Sequence, residues 1–511
     1  MIRGVNINSS KQAGLGLFRA TGIYVGAILG SGILVLPAIA AKEAGPASLL
    51  AWTLLLVFCT PVAFSFAEMS RQQPDAGGIA HFVTRAYGRR ASAVAGYLFY
   101  FAIPFGAPAT AVIGGNYIAH ALGGGRGTAL VAAALLLAAA FASNAVGIRM
   151  SSGIQLVLMV LLVGLLALAV ALAAPFAKAD NFTPFAPHGY WAVGGVASLL
   201  FFCFAGWEAV THLAGEFRHP ERDLKRATWL TLVVVGVVYI GVVAASIAVL
   251  GPALPGSDVP IAQLLEKGLG GLAAPLTAVA AAVLTFGPIN TFVAGASRLG
   301  ASLASDGVLP RSLARGAGPG QVPKASLALL AGMTFLSFAA AVAGLSSMQF
   351  QIGAASACFT AVTAFGLVAG IRLLPARTPA WYGVIVAAAV MLGVLLFSGW
   401  ALVVPLGLAA GALWAARPAG WRMPGWRGLP GRRGLPARRA DYYVCVKGPL
   451  IDSNTEEIIG HFLEEQQVRI RRGATGRLEF DFRPRECAVE IHVLREGKAE
   501  EQAQIAVRGD P

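Results

Sequence analysis

The chain has 511 residues, of which 56% are hydrophobic and only 13% charged, with a mean hydropathy of +0.68. That balance excludes an ordinary soluble globular domain. Lys and Arg number 39 against 25 Asp and Glu, a formal charge of +14; in a soluble chain this would suggest nucleic acid, but here the basic residues flank apolar runs and no nucleic-acid partner is expected.

Residues 1–19 lack a short apolar core with a cleavage site, so no removable signal peptide is expected and the segment reads as a cytoplasmic N-terminus. The run Ala20–Ala41 is uncharged, largely apolar and long enough to span a bilayer, and Gly30-Ser31-Gly32 interrupts its middle. Backbone that leaves the helix at that depth is tolerated only when buried in protein or lining a cavity. Its freed N–H groups and the half-helix dipole favour an anion, with a carboxylate the natural guest. The same small residues would equally serve close helix packing.

Eleven further apolar runs follow: Pro46–Met69, Ser92–Leu122, Thr128–Ile148, Ile154–Ala174, Ala192–Gly215, Thr228–Leu250, Leu272–Ala296, Ala325–Gly344, Met348–Leu374, Trp381–Ser398 and Trp400–Ala416. Twelve spans over residues 20–416 predict an all-α polytopic membrane protein. With both termini cytoplasmic, 18 Lys and Arg before residue 417 fall inside and four (Lys42, Arg126, Lys178, Lys267) outside, a strong positive-inside bias. In the sixth run, Phe201-Phe202-Cys203-Phe204-Ala205-Gly206-Trp207-Glu208 brings a glycine and an ionisable residue into apolar sequence. Breaks in spans one and six occupy corresponding positions if spans one to five and six to ten are inverted repeats, and paired breaks point to a midplane binding site.

Between spans two and three, Pro74 and Gly77-Gly78 punctuate an amphipathic stretch carrying His81, Phe82 and Tyr87. His81 reads as a vestibule hydrogen-bonder, with a pH-sensing role as the alternative. Arg298, late in the eighth span, suits either gating with Glu68 or Glu216 or anchoring at the inner surface. Glu208 reads either as a carrier of a coupled proton or as a gate residue bonded to backbone. The five cysteines show no ligand spacing, and no nucleophile–base pair, metal cluster or GxxxxGK[ST] loop appears, so enzyme activity, cofactors and ATP-driven transport are not expected.

Beyond Ala416 the sequence changes character. Residues 417–440 hold seven arginines, no acid and four prolines, a juxtamembrane linker suited to anionic lipid headgroups. Residues 441–511 carry fourteen acidic and ten basic side chains. Strand-like Tyr442–Val446, a capping box at Ser453–Glu456 before a helical face of Ile458, Ile459, Phe462 and Leu463, and alternation in Leu478–Phe482 and Val489–Val493 predict a small α+β cytoplasmic domain with a regulatory role.

Motifs along residues 10–416 carry a resemblance: Gly26-Ala27-Ile28-Leu29-Gly30-Ser31-Gly32-Ile33, Glu68 with Pro74–Val83, Asn144–Arg149, and Phe204-Ala205-Gly206-Trp207-Glu208 leading to Leu213–Asp223. The chain resembles the amino acid–polyamine–organocation transporters, closest to the bacterial exporters of methionine and branched-chain amino acids. The resemblance implies a LeuT-like 5+5 inverted repeat with two appended helices in a bacterial inner membrane, as monomer or homodimer. It implies a substrate site at Ile28, Gly30, Ser31, Gly32, Ala205 and Gly206. There Ser31 and Gly32 would offer N–H groups to a carboxylate, and carbonyls near Phe204 and Ala205 would accept from the ammonium. Phe204, Trp207 and Phe105 would line the side-chain pocket. No ionisable residue lies in the third span between Ser92 and Ala119, so a neutral apolar amino acid such as leucine, isoleucine, valine or methionine fits better than a cation. A cationic amino acid or polyamine, and a sensor signalling through residues 441–511, are the alternatives. Some proton-coupled relatives carry a lysine in the fifth span, where this chain has Leu162; that departure removes the family's best-marked proton device and leaves the coupling ion, proton or sodium, open.

Overall fold

A computed structural model describes residues 17–72, 78–147, 152–207, 220–316, 321–416, 442–446, 469–472, 478–481 and 491–495. The chain divides into two units, Met1–Ala419 and Gly420–Pro511.

The first unit is helical, and its first element is split as the glycines demand. Helix α1 (Leu17–Ile28) stops, Gly30 adopts extended backbone, a 3-10 turn runs Ser31–Leu34, and α2 (Leu36–Ala44) resumes with Pro37 in its first turn. Proline fits there because its missing N–H would have had no helical partner. There follow α3 (Ser48–Gln72), the short amphipathic α4 (Gly78–Tyr87), α5 (Arg89–Ala121), α6 (Arg126–Val146) and α7 (Ser152–Ala173). Helix α8 (Trp191–Phe204) ends at the second break. After it come α9 (Pro220–Leu250), α10 (Pro260–Leu269), α11 (Ala273–Ser305), α12 (Lys324–Val342), α13 (Met348–Leu373), α14 (Pro379–Leu396) and α15 (Val403–Ala415). Helix starts are capped where the sequence allows. The Ser347 hydroxyl accepts the Phe350 N–H at 3.1 Å before α13, and Thr378 accepts that of Trp381 at 3.2 Å before α14.

Among the described residues nine helical segments are long and apolar enough to cross a bilayer, with Trp191–Phe204 and Gly399–Ala415 shorter. The count differs from twelve because three expected runs give helices too short to qualify: the breaks leave α1 with 12 residues and α8 with 14, and α15 has 13. The α11 helix overshoots its expected end by nine residues, and the amphipathic α10 is an element that the hydropathy pattern did not isolate. Burial sorts the helices by depth. In α5 and α13, 78% and 83% of the apolar window is buried, against 28% in α6, α12 and α14. The first pair forms the centre, with α5 packed against α6, α11, α12, α13 and α15. On α6, Val131 and Leu135 stay more than 60% exposed, an apolar surface that suits lipid.

In the second unit, β1 (Tyr442–Val446) pairs in parallel with β4 (Ile491–Arg495), and β2 (Arg469–Arg472) pairs antiparallel with β3 (Leu478–Asp481). Residues 417–440, and the helix expected behind Ser453, lie outside the described residues.

Candidate functional site

The two breaks meet each other. After Phe204 the chain turns extended at Ala205 and then takes φ +129° at Gly206, a conformation that side-chain-bearing residues rarely adopt. A Cβ added to Gly206 would sit 2.6 Å from the Ala27 carbonyl oxygen and 3.4 Å from the Ile28 Cα, so the end of α1 lies against this backbone. Gly32 is similarly confined: a Cβ there would overlap the Cys203 sulfur and lie 3.1 Å from Leu36 Cδ1.

Broken helices leave polar backbone groups that hydrocarbon cannot satisfy, and tyrosines supply partners. The Tyr239 hydroxyl, on α9, lies 3.0 Å from the Ile28 carbonyl oxygen and 2.9 Å from that of Cys203, sharing its proton across both breaks. Tyr24 donates to the Trp207 carbonyl at 2.9 Å and Tyr117 to that of Leu34 at 2.7 Å. The Gly30 N–H turns back to the Ile28 carbonyl at 2.7 Å. Among the described residues the Ser31 and Gly32 N–H groups donate to no protein carbonyl, as the opening donors of a helical turn do not.

These donors border a cavity of about 440 Å³, within the usual range for small-molecule sites. Gly22 to Gly32 line one side, so the cavity runs from the break toward the N-terminal end of α1, and no residue of α2 lines it. Phe99, Ile103, Gly106, Ala107 and Thr110 of α5 form the opposite wall. Leu162 and Met159 of α7, Phe202 of α8 and the α11 residues around Gly287-Pro288 complete it. Phe99, Phe202, Phe292 and Phe359 form an aromatic cluster from four helices, with centroids 5.7 to 6.5 Å apart. The described lining contains no acid, base or histidine; its side-chain polarity is limited to hydroxyls such as those of Ser31 and Thr110.

Ile28, Gly30, Ser31, Gly32, Ala205 and Gly206 all line this cavity. The three expected pocket aromatics do not. Phe204 is buried against Trp52 and Tyr239, and Trp207 against Tyr24, both away from the cavity. Phe105 faces a separate groove with Phe350. The reason is helical phase: Phe99, Ile103, Gly106 and Thr110 follow a three-to-four-residue spacing that excludes position 105. In α8 the same phase turns Phe202 toward the cavity and Phe204 toward Trp52 and Tyr239. Glu68 pairs with Arg71 at 2.6 Å, hydrogen-bonds Gln72, and has Lys225 at 3.6 Å, rather than Arg298. His81 is half-buried on α4 with its ring beside Phe82, and Arg298 is exposed on α11. Glu208 and Glu216 lie outside the described residues. The sequence reading missed Tyr239 and Tyr117; each is one of several hydroxyl-bearing residues in its apolar span, so nothing in the sequence singles it out.

The family described as Amino acid permease matches residues 15–422. The chain is 31% identical over 402 residues to the uncharacterized amino acid permease YecA of Bacillus subtilis (strain 168), covering 78% of this chain and 94% of that one. It is 32% identical over 418 residues to the L-methionine/branched-chain amino acid exporter YjeH of Escherichia coli (strain K12), covering 79% and 96%. Its fold is similar to that of MhsT, solved in complex with L-phenylalanine, with a TM-score of 0.54 at 15% identity over 75% of this chain and 97% of that one.

Proposed function

The chain belongs to the amino acid permease family, a family of membrane transporters rather than enzymes, and we propose that it carries neutral apolar amino acids by alternating access. The observation that carries this reading is the pairing of Ser31 and Gly32 N–H groups, which donate to no carbonyl among the described residues, with a cavity that has no ionisable side chain among its described lining residues. Half-helix N-termini favour a carboxylate and unwound carbonyls favour an ammonium. An apolar wall with no counter-charge disfavours a cationic side chain, because an unpaired charge in a dry site is heavily penalised. Leucine, isoleucine, valine and methionine match this pattern, and the name of the Escherichia coli relative supports both that class and export as the direction. Twelve spans in two inverted five-helix repeats plus two, with both termini cytoplasmic, is the topology we attach to this reading. The cavity's extension along α1, with α2 absent from its lining, then corresponds to an inward-facing state. Leu162 on the cavity wall leaves the fifth helix without a cation of its own, so Glu208 is our candidate for proton coupling. Labelled leucine binding to purified protein tests the assignment. Isoleucine, valine and methionine should displace it, whereas arginine and leucinol, which lacks the carboxylate, should not. Displacement by leucinol as strong as by leucine would remove the carboxylate from the recognition scheme.

A further inference from the structure

Helices α5, α12, α13 and α15 border a second cavity, a groove of about 540 Å³ on the face of α5 that carries Phe101 and Phe105. Its flanks Leu336 and Val403 are 72% and 70% exposed, so the groove opens on the apolar outer surface of the bundle. Along α12 it runs from Met333, the midpoint of that helix, to Ala340 and on to Ser346 beyond the helix end. At 1.5 Å per residue, Met333 to Ala340 covers about 10 Å, roughly two thirds of the ~15 Å of hydrocarbon in one leaflet. On α15 it takes in Val403 to Leu408, the first half of the helix. The Ser346 end carries two marks of the membrane interface. The exposed Trp400 ring stacks on Phe350 with centroids 5.0 Å apart and planes within 5°, and tryptophan concentrates at headgroup level. The Ser346 Oγ is buried with no hydrogen-bond partner among the described residues, an arrangement that costs free energy unless an acceptor comes from outside.

We propose that this groove binds one acyl chain of a net-neutral diacyl phospholipid, whose ester carbonyl accepts the Ser346 hydroxyl proton. An ester carbonyl sits where hydrocarbon gives way to headgroup, at the level of Ser346 and Trp400. A second helix would be a poorer occupant, because its backbone carbonyls are already engaged within the helix. Residues 343–352 and 399–415 carry no charged side chain, so nothing beside the groove selects an anionic headgroup. The chain leaves other lipid tails to enter the groove, so apolar burial adds little. Preference for this lipid over the surrounding bilayer therefore comes from the hydrogen bond and from the concave fit. The proposal needs only the membrane setting and is independent of which amino acid is carried, although α5 presents Phe99 and Ile103 to the substrate cavity and Phe101 and Phe105 to the groove.

The test uses full-length protein in phosphatidylcholine bilayers containing a trace of phosphatidylcholine with a diazirine in mid-chain. After illumination, mass spectrometry gives the adduct yield on α12 relative to α6, whose Val131 and Leu135 also face outward. Gly407→Phe supplies the baseline. Gly407 lines the groove, and an added Cβ would meet no atom within 4 Å, so the ring can fill the groove without displacing the helices. Ala340→Phe repeats the block from α12, and thermal melting checks the fold of each variant. The parent ratio should exceed the blocked ratio at least threefold, within the roughly two- to tenfold that one hydrogen bond supplies. Ser346→Ala should lower the parent ratio at least about twofold for the same reason. Phosphatidylglycerol bearing the same chain should give a ratio no higher than phosphatidylcholine. Equal ratios in the parent and the blocked variants, or a ratio unmoved by Ser346→Ala, would overturn the site. A clearly higher ratio with phosphatidylglycerol would overturn the neutral headgroup. Crosslinks between two copies through α12 or α15, in place of lipid adducts, would give the groove to a second chain and overturn the lipid.

Discussion

Gly30 and Gly32 sit two residues apart in the same break yet make different experimental handles. A side chain at Gly32 would collide with Cys203 and press on Leu36 and Phe202, so a bulky residue there tests packing as much as recognition. At Gly30 the nearest atom to an added Cβ is the Ile28 carbonyl oxygen at 3.9 Å, and its φ of −90° is open to any residue. Gly30→Leu should therefore leave the fold within about 0.5 kcal/mol of the parent. By filling the approach to the Ser31 and Gly32 donors it should weaken leucine binding at least about tenfold, equivalent to ~1.4 kcal/mol. A thermal melt and a binding isotherm on the same sample check both halves. Affinity equal to the parent's would move the carboxylate away from this turn. At this scale the sequence was readable where chemistry is carried by backbone, as in Gly30-Ser31-Gly32, and unreadable where it depends on helical phase. The α5 stretch Phe99–Thr110 is apolar on every face, so nothing in its composition distinguishes Phe105 from Phe99 as a wall of the cavity. The structure resolves that choice through packing.

Among the elements, α1 and α8 work as a pair because each ends against the other. The near contact of Gly206 with Ala27 brings two interrupted backbones together, and Tyr239 of α9 lies within hydrogen-bonding reach of a carbonyl in each. Gly206→Ala should thus cost on the order of 1–3 kcal/mol through its positive φ alone. The Cβ–carbonyl overlap should also separate the helices, lowering leucine affinity together with thermal stability. A variant as stable and as tight-binding as the parent would mean that the helices part without loss. Both breaks were legible as interruptions of apolar runs. Their mutual contact was not, because it depends on partners 183 and 211 residues apart, such as Tyr24 with Trp207 and Tyr239 with Ile28. Helix α10 escaped for a different reason. Its ten residues are flanked by Gly251–Pro255 and Gly270-Gly271, so the pattern reads as loop, and amphipathicity becomes informative only once α7 and α11 are there to cover one face.

For the whole molecule, the family match ends at residue 422, close to the division between the two units at Ala419 and Gly420. The parallel β1–β4 pair and the antiparallel β2–β3 pair confine the described strands of the second unit to residues beyond 441. A chain ending at Arg439 should therefore insert and bind leucine with affinity within about twofold of the full chain, a difference of ~0.4 kcal/mol. Any effect of the missing unit should appear in the transport rate. Affinity lost together with folding in that shortened chain would make the tail integral to the carrier. In the proposed carrier, two broken helices form a neutral, apolar site that holds an amino acid by its backbone. The most direct test of that site is flux of labelled leucine in proteoliposomes, challenged in turn with methionine, valine, arginine and putrescine under imposed proton or sodium gradients. Saturable leucine transport is expected, inhibited by methionine and valine and unchanged by arginine and putrescine. Arginine or putrescine carried as readily as leucine, or no flux of any neutral amino acid, would contradict it.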